Sequence, residues 1–158
     1  MKSRVPAVMP TERGFTLVEL IVTMIVVGIL AVAVIPRFAN RTDFDARGFY
    51  DGTLGILHYA QKSAVAQRRQ VCVSFSAAGV ALMIASVFGG PCDADLTGPN
   101  GVAPYALPIP TGVAFVVPPA DFSFLPSGAA SAAPTISVTG MTGKVITVDA
   151  VTGYVYSN

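Results

Sequence analysis

One stretch constrains this chain more than any other: RGFTLVELIVTMIVVGILAVAVIPRF, Arg13 to Phe38. From Phe15 to Ile35 run 21 residues, all apolar or small except Thr16, Thr23 and Glu19. As a helix at about 1.5 Å per residue, the run reaches about 30 Å, the hydrocarbon thickness of a bilayer. It can therefore cross a membrane. A carboxylate inside such a run is costly, yet Glu19 sits there, just after Gly14 and Phe15.

Three readings compete. The first is a cleaved secretory signal, with a basic start and a small-residue site at Ala31-Val32-Ala33. The run continues past that site through Val34 and Ile35, and an acid in its core opposes insertion. The second is a plain single-span anchor. Its orientation is undecided by charge, because Lys2, Arg4 and Arg13 lie on one side and Arg37, Arg41 and Arg47 on the other. A plain anchor has no use for Glu19. The third reading cuts the chain between Gly14 and Phe15. Phe15 then bears a new amino terminus, with Glu19 one helical turn away. When such helices pack together, the carboxylate of one subunit meets the terminal ammonium of its neighbour, so each buried charge has a partner.

Here the residues resemble a family. Gly14-Phe15-Thr16-Leu17-Val18-Glu19-Leu20, an apolar run and then Pro36 are similar to the class III leader of type IV pilins and type II secretion pseudopilins. The resemblance covers about residues 13–38. It implies that a prepilin peptidase cuts after Gly14 and methylates the Phe15 amine. It also implies that the subunits assemble into a helical filament. The remaining partners it implies are other pilin or pseudopilin subunits, an inner-membrane assembly platform, and the membrane before assembly.

The rest of the chain is ordinary in composition. Overall 53% of residues are hydrophobic and 12% charged, and the apolar run accounts for much of that imbalance. Roughly 120 residues remain, enough for one modest core. After residue 14 there are seven basic and eight acidic residues, so no basic stripe points to nucleic acid.

Pro36 cannot donate to a helical hydrogen bond and disfavours helix at Ile35, which predicts a kink. Helical patterning resumes around Asp43–Gln70. Tyr50, Leu54, Leu57, Ala60 and Ala64 fall on one face, with Asp51, Lys62 and Arg69 opposite. VCVSF (71–75) and VALMIAS (80–86) read as a hairpin. Residues 87–135 are loop-rich, with nine prolines from Pro91 to Pro134 and VAFVV (113–117) as the one clear strand. TISVT (135–139), KVITVD (144–149) and YVYS (154–157) read as a closing meander, with glycines in its turns.

The expected order is leader 1–14, apolar helix 15–35, amphipathic continuation 36–70 and a β-rich head 71–158. That is an α+β class, a long N-terminal helix packed on an antiparallel sheet, and it matches the pilin architecture. LGILHYAQKSAVAQRRQ followed by VCVSF, and the ending VDAVTGYVY, resemble the H-type minor pseudopilins and the mannose-sensitive haemagglutinin-type minor pilins.

Cys72 and Cys92 are the two cysteines, and the one histidine leaves a zinc site incomplete. In an extracytoplasmic domain they read as one disulfide, and otherwise as two separate buried thiols. A bridge there would tie the first strand to the following loop, a departure from the C-terminal bridge of major pilins that favours a minor subunit.

No catalytic site is legible. His58 reads as a structural histidine, and Gly140-Met-Thr-Gly-Lys144 lacks phosphate-loop spacing and reads as a turn. Asp93-Ala-Asp95-Leu-Thr97-Gly98 resembles the start of a calcium loop, but its twelfth position is Pro104, so a solvated turn is preferred. Arg68, Arg69, Lys62 and Lys144 are too few for strong phosphate binding. The expectation is a non-enzymatic structural subunit of a pilus or pseudopilus near the filament tip, without cofactor or metal. It is held in a bacterial inner membrane by one span, with its C-terminal domain periplasmic. The alternative is a tip binding module, an adhesin or DNA-uptake subunit.

Overall fold

The structure is a computed structural model. It describes residues 14–38 and 41–158, the backbone alone for 32–38. Helix α1, Leu17–Phe38, forms one unit; everything from helix α2 onward forms a second.

In α1 every described side chain is exposed. Leu17, Val18, Leu20, Ile21, Met24, Ile25 and Ile29 all show about half of their surface or more, on every side of the helix. A helix apolar all round needs covering by lipid or by other helices. The Thr23 hydroxyl donates to the Leu20 carbonyl at 2.8 Å, which satisfies it within the helix. Helical backbone continues through Pro36 to Phe38. Proline lacks the N–H that the Val32 carbonyl would accept there.

Helix α2, Arg41–Gln67, buries Ala46, Phe49, Tyr50, Thr53, Ile56, Leu57, Ala60, Ser63 and Ala64. These recur at spacings of three and four, the pattern of a helix with one face on a core. The expected Tyr50–Ala64 face is present, with Leu54 at its half-buried edge. Gly52 lies where a Cβ would meet the Leu107 side chain at 3.0 Å, so its glycine lets the chain pass close over the helix. The helix ends three residues earlier than the pattern predicts. Arg68 adopts φ +52° and its N–H donates to the Val65 carbonyl, while the Arg69 N–H donates to the Ala64 carbonyl. These two bonds form a Schellman cap, here closed by arginine where glycine is usual.

Strands β1 (Val71–Ser76) and β2 (Gly79–Ala85) form the expected hairpin, with Val71 opposite Ile84 and Ser76 opposite Gly79. Val71, Val73, Val80, Leu82 and Ile84 turn into the core. Three strands lie in the stretch read as loop: β3 (Cys92–Asp95), β4 (Ala106–Pro108) and β5 (Phe122–Phe124). The sheet order is β3-β2-β1-β5, with β4 on the other half of the β2 edge. The predicted strand 113–117 is instead one bridge, Phe115 to Val138, flanked by Val116 N–H to Ser137 and Thr139 N–H to Ala114. Pro118 and Pro119 follow at once and cannot donate to a ladder. Phe115 packs against Phe49 and Phe75, and Phe75 and Phe124 flank Phe122.

The closing meander is a separate sheet, β6 (Thr135–Ile136), β7 (Ile146–Val148) and β8 (Val155–Ser157), in that order. Ile136, Ile146, Val148 and Val155 are buried. The head therefore holds two antiparallel sheets where one was expected, and α2 packs against strands of both. The fold is α+β, a helix laid on antiparallel sheet.

Candidate functional site

The residues singled out by sequence converge at the start of α1. Gly14, Phe15 and Thr16 precede the helix, and Glu19 is its third residue. Phe15 is 82% exposed, and a Cβ at Gly14 would meet nothing within 4 Å. The Gly14–Phe15 bond thus lies outside the helix in an open segment.

Thr16 was not singled out as a site by the sequence, yet it sets this geometry. Its Oγ1 accepts the Glu19 N–H at 3.2 Å, and its carbonyl accepts the Leu20 N–H at 3.2 Å. Thr16 is therefore the N-cap of α1. Thr16-Leu-Val-Glu19 is a capping-box sequence ahead of an apolar run, which is the signal that could have found it. Glu19 consequently stands in the first turn, where the helix dipole favours a carboxylate. Among the described residues its carboxylate has no side-chain or backbone partner.

No helix among the described residues is long and apolar enough to cross a membrane. The side chains of α1 are described only as far as Ala31, and Leu17–Ala31 spans about 22 Å, short of a core of about 30 Å. By sequence, the apolar run carries on to Ile35.

In the head, Cys72 and Cys92 form a disulfide across 20 residues of chain. Cys92 opens strand β3 and does not lie in a loop, which corrects the expected connection. The Asp93–Asp95 segment is likewise strand and not calcium-loop turn. Asp93 accepts the Ser86 N–H at 2.8 Å and the Ser86 hydroxyl at 2.9 Å, and these bonds lower its pKa, the backbone one most. Among the described residues no three metal-ligating side chains group together.

His58 Nε2 lies 2.9 Å from the Val155 carbonyl, tying α2 to β8. Lys62 and Arg68 are exposed at the end of α2, and Lys144 is exposed in the turn before β7. The structure thus brings together Gly14, Phe15 and Glu19, adds Thr16, and leaves the other candidates as parts of the head.

Gly14, an exposed Phe15 and a capped apolar helix with an acid in its first turn make up the described N-terminal segment. Comparison with known proteins finds similarities that include this segment. The prokaryotic N-terminal methylation motif matches residues 9–35. The type IV narrow pilus major component PilA5 of Thermus thermophilus is 32% identical over 59 residues, 37% of this chain and 51% of the relative. The chain thus spans about half the length of that curated relative. Both matches are similarities of part of the chain, and the motif match is confined to its N-terminal segment. The crystal structure of the type IV minor pilin FimU of Pseudomonas aeruginosa is similar at a TM-score of 0.46 and 16% identity, covering 71% of this chain and 91% of that one.

Proposed function

We propose that this protein is a minor structural subunit of a type IV pilus or a type II secretion pseudopilus, placed near the filament tip. One observation carries the reading: an all-round apolar α1, exposed on every described side, begins just after an accessible Gly14–Phe15 junction. The similarity to a pilus component favours the pilus. The precursor waits in a bacterial inner membrane as a single span, residues 1–14 cytoplasmic and the head periplasmic. A prepilin peptidase removes residues 1–14 and methylates the Phe15 amine. The helix then leaves lipid for the filament core with the help of the assembly platform, and Pro36 kinks it. The Glu19 carboxylate pairs with the Phe15 ammonium of a neighbouring subunit, so that neither charge is buried alone.

Mass spectrometry of the mature chain tests the processing. N-methyl-Phe15 is the expected terminus; an intact Met1 or a start at Val34 would sink the assignment. Glu19→Ala should be cut normally yet enter filaments at about a tenth of the wild-type level or less, since it leaves an ammonium unpaired in the core. Normal incorporation of that variant would refute the pairing.

A further inference from the structure

The geometry of the α1 start assigns a task to Thr16 that goes beyond the proposed processing and rests on it. We propose that Thr16 is a positioning residue: its capping bond holds the helix boundary at Leu17, so that the Gly14–Phe15 bond stays non-helical and open to the peptidase.

The physical argument concerns one hydrogen-bond donor. The first N–H groups of any helix lack intrahelical partners. In α1 one of them, that of Glu19, is satisfied by the Thr16 hydroxyl at 3.2 Å. Without the hydroxyl, the nearest helical acceptor for that N–H is the carbonyl four residues back, that of Phe15. Making that bond adds a residue to the helix on the leader side. Next to lipid, leaving the N–H unpaired is costly, so winding backward is favoured over fraying. Winding backward draws Phe15, and then the scissile bond, into the helix. With Thr16 in place, Phe15 remains outside the helix and 82% exposed, and Gly14 remains in open space.

The reaction served is hydrolysis. Water adds across the bond between the Gly14 carbonyl carbon and the Phe15 nitrogen, leaving a carboxylate on Gly14 and an amine on Phe15. Thr16 does not touch the reacting atoms in this scheme. It changes the fraction of precursor whose bond is accessible. A smaller competent fraction weakens apparent binding in proportion and leaves the chemical step alone.

The test uses the full-length precursor in detergent micelles with a prepilin peptidase, measuring kcat and KM separately. Thr16→Val keeps the side-chain shape and removes the acceptor; it should raise KM about fivefold with kcat unchanged. Thr16→Asn, a different shape that still caps, should return KM to the wild-type value. Backbone chemical shifts of Gly14 and Phe15 should become helical in the Val variant only. The proposal is overturned if Val matches wild type, or if Asn is as slow as Val, which would mean that the peptidase reads the threonine itself. Failure of the wild-type precursor to be cut after Gly14 would instead overturn the processing reading beneath it.

Discussion

At the scale of single residues, the head shows where polar groups are well placed and where one is not. The Tyr50 hydroxyl is buried without a hydrogen-bond partner, and the Ser157 hydroxyl faces it without completing a bond. Burial holds the phenol pKa above its usual value of 10.0. An unsatisfied buried hydroxyl costs about 1–3 kcal/mol, so Tyr50→Phe should stabilise the protein by about 1 kcal/mol. Urea unfolding checks this, and a loss of stability would show that the hydroxyl is bonded in solution. Asp93 and Asp149 are the opposite case. Asp149 accepts the N–H and hydroxyl of Thr152 at 2.8 and 2.7 Å, and both carboxyls are held below their usual pKa by such bonds, the backbone donor first. A lowered folded-state pKa contributes stability above the unfolded value, about 3.9, that is lost as pH falls through the folded one. Thermal unfolding should therefore be level from about pH 5 to 7 and drop below about pH 4. Replacing both residues by asparagine should flatten that drop. Neither partnership was legible beforehand: Asp93 meets Ser86 only once β3 pairs with β2, and Asp149 meets Thr152 only in the folded turn before β8.

At the scale of elements, periodicity was a good guide to what forms and a poor one to where it stops. The α2 face, the β1–β2 hairpin and the closing meander all follow apolar spacing, because burial of those side chains selects the period. The end of α2 does not. Arg68 closes the Schellman cap in a left-handed conformation that costs a non-glycine residue about 1 kcal/mol. Arg68→Gly should relieve that strain and stabilise the protein by about 0.5–1 kcal/mol, less the extra entropy of a glycine in the unfolded chain. Denaturant unfolding measures it, and a destabilised variant would mean that arginine's own contacts outweigh the strain. Strands β3, β4 and β5 were missed for a different reason. They are four, three and three residues long, and β3 carries two acids while β4 ends on a proline. What makes them strands is the partner edge each one finds. Phe122-Ser-Phe124 is strand because β1 lies beside it, and VAFVV is not because prolines follow it.

At the scale of the whole molecule, the disulfide shows how far tertiary structure departs from connection by sequence. Cys72 lies on β1 and Cys92 on β3, with β2 ordered between those strands. Second-neighbour strands run about 9.6 Å apart, yet these Cα atoms are 6.1 Å apart. The register shift in the β2–β3 pairing at Ile84/Ala85 accompanies this approach near the end of β2. A bridge closing about 20 residues contributes about 3 kcal/mol on the chain-entropy account. Replacing both cysteines by alanine should lower unfolding free energy by about 2–4 kcal/mol, with the helix content unchanged in circular dichroism. A loss below about 0.5 kcal/mol would show that the bridge adds nothing to the packed sheet. By itself the sequence determined the apolar run, the order of helix before sheet and the N-terminal methylation motif. Those rest on local spacing and on residue types that a short window contains. Tertiary structure alone decided the two-sheet division, the short strands and the passage of the Cys72–Cys92 bridge across β2. Each of these depends on which segments meet once the chain is folded, and no short window of sequence holds both partners and the geometry between them.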